Sequence, residues 1–367
     1  MHPTRFVLIG GFLGAGKTTT IARLARTYVD RALKVGIVTN DQATDLVDTH
    51  TLRSAGFGVG EVAGSCFCCN FNGLTDVVAQ LTAREPLDVI FAEPVGSCTD
   101  IMATVVRPLR QMYPDRFDLA PYGVILKPSH GRRILRNEPN TGFSPKAAYI
   151  FRKQLEEADF VIVNRIDELA PAEVEELVGL LHAQYPGVPT IRVSARTGQG
   201  FAALLEILDQ RGEFGQRTME LDYDVYAEGE AELGWLNSSV RVTASAPFSL
   251  DDLSLGIVQR LQQSLSSAGA EPAHLKTFAQ GNGHYSVVNL VSGDTPPVVS
   301  IASSGHARQA NVIVNARVAI DPSVLQDHVT AGVRATCQAI NAVADFLRTQ
   351  SFRPGRPNPT YRITGPS

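Results

Sequence analysis

No segment of the 367-residue chain is long and apolar enough to span a bilayer, and none carries a long run of one charge sign. The first absence argues against a membrane-spanning chain. The second, with 33 basic and 37 acidic residues and a formal net charge of -4, removes the electrostatic footprint that nucleic acid or an anionic membrane surface requires, so neither is expected as a partner. The start, MHPTRFVLIGGFLGAGK, has its apolar stretch broken by glycines and lacks a small-residue cleavage site, unlike a signal peptide. There is no internal repeat. Cysteine is scarce, five in all, yet three lie within residues 66 to 69. An intracellular, reducing compartment, the cytoplasm, is expected, and there closely spaced cysteines bind metal or do chemistry more often than they form disulfides.

Hydrophobic residues make up 44% of a chain longer than the about 250–300 residues at which single cores stop growing, so two domains are expected. Over residues 1–212, near-continuous apolar runs alternate with helical patterns: 6–9, 34–38, 89–92, 123–126, 160–163 and 190–193. Strands buried on both faces and separated by helices predict an α/β domain with a mostly parallel sheet. From about Arg217 the texture changes to alternating strands, such as 240–243 and 313–318, with amphipathic helices near 250–267 and 322–348. A smaller α+β domain with a largely antiparallel sheet is expected over 217–349. The last stretch, SFRPGRPNPTYRITGPS, is rich in proline and polar residues, and 350–367 reads as a flexible tail.

Gly11 to Thr18 reads GFLGAGKT, which fits G-x-x-x-x-G-K-[ST] between a strand and a helical segment. Backbone amides of Gly14, Ala15, Gly16 and Lys17 can converge on phosphate oxygens there, with Gly11 permitting the turn and Thr19 extending the helix start. Lys17 would meet the β- and γ-phosphates, and Thr18 would ligate Mg²⁺. Beyond the strand ending at Val163 comes Asn164-Arg165-Ile166-Asp167, a variant of the N-K-x-D signature of GTP-binding proteins. A carboxylate at Asp167 can accept from both the ring N–H and the exocyclic amine of guanine, each charge-assisted bond contributing about 1.5–3 kcal/mol. Adenine offers no such donor pair. Arg165 stands where lysine is usual, and its aliphatic stem could lie over the base. Downstream, Ser194-Ala195-Arg196 resembles the S-A-K loop that meets guanine O6 by a backbone amide.

Val89 to Gly96 has the layout of a Walker B strand and second switch: Glu93 could hold Mg²⁺ through water, and the Gly96 amide could sense the γ-phosphate. Lys17, Thr18, Glu93 and Gly96 are therefore the candidate catalytic residues. Thr39-Asn40-Asp41 leaves the second strand at the edge where open α/β sheets bind ligands, which makes Asp41 a candidate metal contact; a solvated acidic loop is the alternative.

With GGFLGAGKTTT, VTND, GSCFCCN, the E-P-V-G switch, QLEEADFVIVNRIDEL and SARTG assembled over about residues 5–200, the chain resembles the CobW family of P-loop GTPases, related to the urease- and hydrogenase-maturation GTPases. The resemblance implies a GTP-hydrolysing metallochaperone or metalloenzyme activator with GTP/GDP and Mg²⁺ at the P-loop and a metal-binding C-x-C-C motif. A client metalloprotein is the implied partner, with a homodimer left open. Three departures stand out. Ser65 precedes Cys66 where the family has glycine, Pro94 and Val95 replace two threonines of the switch, and N-D-Q follows the second strand. Loss of two hydroxyls near the γ-phosphate implies slow hydrolysis or greater dependence on a partner.

Three thiolates at Cys66, Cys68 and Cys69 suit Zn²⁺ first, with Co²⁺ or Cu⁺ as alternatives, and leave a coordination position open for handover. A vicinal redox pair and a buried apolar cluster are the competing readings. Cys98, just past Gly96, is either a fourth ligand in one nucleotide state or a small buried thiol. Cys337 is expected in the core, and His274, His284, His306 and His328 lack ligand spacing. A GTP-gated assembly protein with structural cysteines is the main alternative function; a small-molecule kinase fits poorly with the guanine preference expected from Asp167.

Overall fold

The computed structural model describes residues 3–138, 144–290 and 292–365, which divide into two compact units. The first comprises residues 1–42, 56–229 and 356–367, and the second residues 43–55 and 230–355.

Among the described residues, eight strands form the sheet of the first unit: β1 (Thr4–Gly10), β2 (Val35–Asp41), β3 (Gly58–Ala63), β4 (Val89–Glu93), β5 (Phe117–Leu119), β6 (Gly123–Leu126), β7 (Phe160–Val163) and β8 (Thr190–Arg192). Their order is β3-β2-β4-β1-β6-β7-β8, with β5 also on β1, and every pairing is parallel. Runs such as Phe6-Val7-Leu8-Ile9 and Phe160-Val161-Ile162-Val163 are buried throughout, as strands covered on both faces must be. The expected α/β fold with a parallel sheet is observed. Sequence reading missed β3 and β5. Gly58-Val59-Gly60-Glu61-Val62-Ala63 sits at the sheet edge, is half-exposed and has no apolar run, and β5 has only three residues.

The second unit carries a six-stranded antiparallel sheet: β9 (Gly234–Ser249), β10 (Pro272–Gly281), β11 (His284–Leu290), β12 (Val298–Ile301), β13 (His306–Val318) and β14 (Ala342–Phe352), in the order β12-β11-β10-β13-β9-β14. Helices Leu250–Ser267 and Pro322–Ala339 bury Leu253, Ile257, Leu261, Val329 and Val333 against Leu275, Val312 and Val314. Cys337 lies in this core, as expected. Ile313, between Val312 and Val314, points to the opposite face, where it packs with Phe278, Val287 and Val47 of the helix Val47–Ser54.

Three expectations change. The helix expected to run to 348 stops at Ala339; Asn341 takes a positive φ of 52°, and the chain turns back as β14 along β9. Alternation in Ala342-Val343-Ala344-Asp345-Phe346 serves a strand, with Val343 exposed and Ala342 buried. Residues 43–55 belong with the second unit, because the Asn315 side chain accepts from the Val47 amide (2.7 Å) and donates to the Asp45 carbonyl (3.1 Å). Finally, the stretch read as a flexible tail is, over residues 356–365, hydrogen-bonded into the first unit; residues 366 and 367 lie outside the described residues.

Asn315 is fully buried, so Asn315→Ala leaves the buried Val47 amide and the part-buried Asp45 carbonyl without their partner, a loss of about 1–3 kcal/mol. Denaturant unfolding should show that drop, and hydrogen exchange should show loss of protection at Val47; an unchanged Val47 amide would contradict the anchoring role.

Candidate nucleotide and metal site

Parallel pairing brings the carboxyl ends of β1, β2, β3, β4, β7 and β8 to one edge of the sheet, and the candidate residues sit at these strand ends and in the loops that follow. After β1 the chain takes positive φ at Gly11 (132°), Gly14 (71°) and Gly16 (99°) before the helix Lys17–Asp30. A side chain at Gly11 would meet the Ile125 carbonyl oxygen at 2.1 Å, and one at Gly16 the Asn164 side-chain nitrogen at 2.4 Å, so the close approach demands glycine. The Lys17 ammonium donates to the Gly11 carbonyl at 2.9 Å. Thr18 Oγ1 donates to Glu93 Oε1 at 2.9 Å, joining the loop to the end of β4 at a buried point. Thr19 is exposed on the first helical turn. A Cβ at Gly96 would lie 3.1 Å from the Lys17 ammonium and 3.1 Å from the Leu13 amide nitrogen, so the switch backbone rests on the loop.

Asn164 ties this loop to the base side. Its amide donates to the Ala15 carbonyl (2.9 Å) and its oxygen accepts from the Ala195 amide (2.9 Å). The Ala195 N–H is thus engaged within the protein. Arg165, at a positive φ of 61°, turns its guanidinium toward the Gly14 carbonyl (3.4 Å) and Glu168. Asp167 forms an ion pair with Arg196. Burial opposes its ionisation, but hydrogen bonds from Ser194, its own backbone and Arg196 prevail and hold the carboxyl below its ordinary value. It is therefore a carboxylate at neutral pH, the state a guanine acceptor needs. Ser194 Oγ also accepts from the Thr197 amide (3.0 Å).

Cys66, Cys68 and Cys69 lie in a turn: the Cys69 and Asn70 amides both donate to the Cys66 carbonyl (3.1 and 2.9 Å). Asn70 then caps the helix Phe71–Arg84 by accepting from the Gly73 amide (3.0 Å), so the sulfurs collect at a helix N-terminus, which favours anionic sulfur. The three Sγ atoms lie within 4.8 Å of one another, the one group of three such ligand atoms among the described residues; neither Asp41 nor the second unit's histidines belong to it. Asp41 is buried and accepts from the Gln42 amide at 2.6 Å.

Cys66 and Cys68 are 2.9 Å apart and Cys68 and Cys69 3.7 Å. Two sulfurs on one tetrahedral zinc, at about 2.3 Å each, are about 3.8 Å apart. The second pair has that spacing, and the first is closer. All five cysteines are free thiols. Hydrogen bonds from Cys68, Cys69 and Cys98 hold the Cys66 thiol well below its ordinary value, while the bond to Cys66 pushes Cys68 well above it and Cys69 up to about 11. The metal-free cluster thus favours a single thiolate shared by its neighbours, and loading three thiolates with metal would release protons. Cys98 is buried beside this group, and its carbonyl and that of Gly96 both accept from Gln154 (2.8 and 3.0 Å).

Sequence reasoning passed over Asn40, which holds the cysteine loop. Its side-chain nitrogen donates to the Val62 and Ser65 carbonyls (2.8 and 2.7 Å), and its oxygen accepts from the Phe67 amide (2.8 Å). Its place between Thr39 and Asp41 was visible, but only the fold brings residues 62–67 against it.

A glycine-rich loop cradled by Lys17, Thr18 and Glu93 at the edge of a parallel sheet defines a P-loop nucleotide-binding protein. The chain belongs to the CobW/HypB/UreG family: that family's nucleotide-binding domain matches residues 5–192. It is 31% identical over 178 residues to "Zinc chaperone YeiR" of Escherichia coli, covering 47% of this chain and 50% of that protein. It is 25% identical over 219 residues to "Zinc chaperone CobW" of Pseudomonas aeruginosa, covering 52% and 56%. With "Urease accessory protein UreG" of Metallosphaera sedula it shares 28% over 218 residues, 54% of this chain and 90% of that one. The chain thus spans about half the length of the first two relatives. Among the described residues no helix is long and apolar enough to cross a membrane.

Asn40→Ala removes three hydrogen bonds, two of them buried, and leaves buried groups unpartnered at about 1–3 kcal/mol each. The expected result is a less stable protein in which Cys66 and Cys68 react with a thiol reagent they otherwise resist. Asn40→Asp should be worse, since a carboxylate would face two carbonyl oxygens. Denaturant unfolding and thiol kinetics measure both, and a more stable Asp variant would contradict the assignment.

Proposed function

We propose that this protein is a GTP-hydrolysing metallochaperone that carries zinc, or cobalt in its place, on Cys66, Cys68 and Cys69 and passes it to a client metalloprotein in the cytoplasm. The observation that carries this reading is the three-sulfur group on the same sheet edge as the phosphate loop. Membership of a P-loop GTPase family whose relatives include two named zinc chaperones supports it.

In this reading the amides of Gly14, Ala15, Gly16 and Lys17, with the Lys17 ammonium, bind the phosphates, and Asp167 selects guanine. Thr18 and Glu93, already hydrogen-bonded, would hold Mg²⁺, which supplies charge neutralisation at the phosphates. Gly96 reports the γ-phosphate through its backbone. Pro94 and Val95 offer no hydroxyl to that phosphate, so intrinsic turnover is slow. Cys66 and Cys68 are only 3% and 1% exposed, and this burial favours a second reading in which the cysteines are structural and GTP gates docking to the client.

Metal titration separates the two. Stoichiometric tight zinc binding that is lost when Cys66, Cys68 and Cys69 become serine supports the chaperone; undiminished binding in that variant refutes it. On the nucleotide side, Lys17→Ala should abolish GTP hydrolysis, and Asp167→Asn should lower the preference for GTP over ATP by about tenfold to a hundredfold in competition binding.

A further inference from the structure

The C-terminal segment Arg356–Gly365 has no regular secondary structure, yet it is bound along its length to the cysteine turn and to the stretch just beyond the switch. Pro357 and Pro359 fix φ and carry no N–H, so they lower the entropy lost on ordering and leave Asn358 as the one backbone donor between them. That amide donates to the Cys69 sulfur at 3.2 Å. The next, Thr360, donates to the Cys68 carbonyl at 2.8 Å, and its hydroxyl donates to the Cys69 carbonyl (3.0 Å) and accepts from the Phe71 amide (3.4 Å). Tyr361 packs edge-on against Phe71, ring centroids 5.3 Å apart.

The other end is pegged to a different element. Arg362 Nε donates to Asp100 at 2.6 Å, and the Ile363 amide to the Ala103 carbonyl at 2.8 Å. Asp100 is a buried residue with a positive φ of 64°, held also by the Tyr223 hydroxyl (2.7 Å). It follows Cys98 and Gly96 in the segment that rests on the phosphate loop. Cys69 is the partly exposed sulfur of the three, and it is the one the segment touches.

We infer that Arg356–Gly365 is a strap over the cysteine site: seated, it shields the Cys69 sulfur and slows metal entry and release, and its anchors at Asp100 and Ala103 let the nucleotide state seat or lift it. The metal part rests on the reading of Cys66, Cys68 and Cys69 as a zinc site; the shielding of Cys69 does not. An N–H donated to a ligand sulfur also steadies the metal–sulfur bond, an outer-shell contact whose loss typically costs about 10- to 100-fold in metal affinity.

Two variants test it: Arg362→Ala, which cuts the peg in the full chain, and a chain ending at Gly355. Circular dichroism and GTP-analogue affinity report whether each is folded. Two rates are measured, alkylation of Cys69 in the metal-free protein and transfer of zinc to a competing chelator. Both should rise, by about tenfold or more for transfer. In the intact chain alkylation should differ between GDP and a non-hydrolysable GTP analogue, and in Arg362→Ala that difference should vanish. Unchanged Cys69 alkylation in both folded variants overturns the strap, and equal alkylation in the two nucleotide states of the intact chain overturns its coupling to the switch. If the intact chain binds no zinc, the zinc-carrier reading fails, and alkylation alone still decides the strap.

Discussion

Because every strand of the first sheet runs parallel, the loops that follow β1, β2, β3, β4, β7 and β8 must all emerge at one edge, and the candidate site depends on that constraint. Phosphate loop, cysteine turn, switch and base loop are far apart in sequence. None is held by the packing of a single element. The sheet brings their starting points together, and buried side-chain hydrogen bonds complete the join: Thr18 to Glu93, Asn164 to Ala15 and Ala195, Asn40 to residues 62–67.

The two asparagines play matching parts at either side of the sheet. A side-chain amide can donate and accept at once, so Asn164 satisfies backbone groups on two separate loops and Asn40 three backbone groups within residues 62–67. In a buried setting this specifies geometry strongly, since an unmatched group there is costly. Behind the switch, Gln154 acts through its side-chain nitrogen alone, donating to the carbonyls of Gly96 and Cys98. The cysteine turn and the switch are each pinned through backbone atoms.

Three sulfurs at a helix N-terminus, two deeply buried and one half-exposed, combine a protected interior with one accessible edge. Shared protons among the thiols keep the metal-free cluster from holding several adjacent negative charges in a buried place, where desolvation would be severe.

The glycine-rich loop was legible in the sequence, because its glycines, lysine and hydroxyl stand at fixed local spacing between a strand and a helix. Continuous apolar runs likewise announced the parallel strands. What the sequence by itself determined was therefore local: periodicity, glycine positions and the cysteine triplet. The tertiary structure alone decided that Asn40 clamps the cysteine loop, that residues 43–55 join the second unit through Asn315, that the last helix ends at Ala339, and that a proline-rich end is bound to Cys69 and Asp100. Each of these rests on hydrogen bonds between residues distant along the chain, which leave no periodic signal in the sequence and exist only once the sheets have formed.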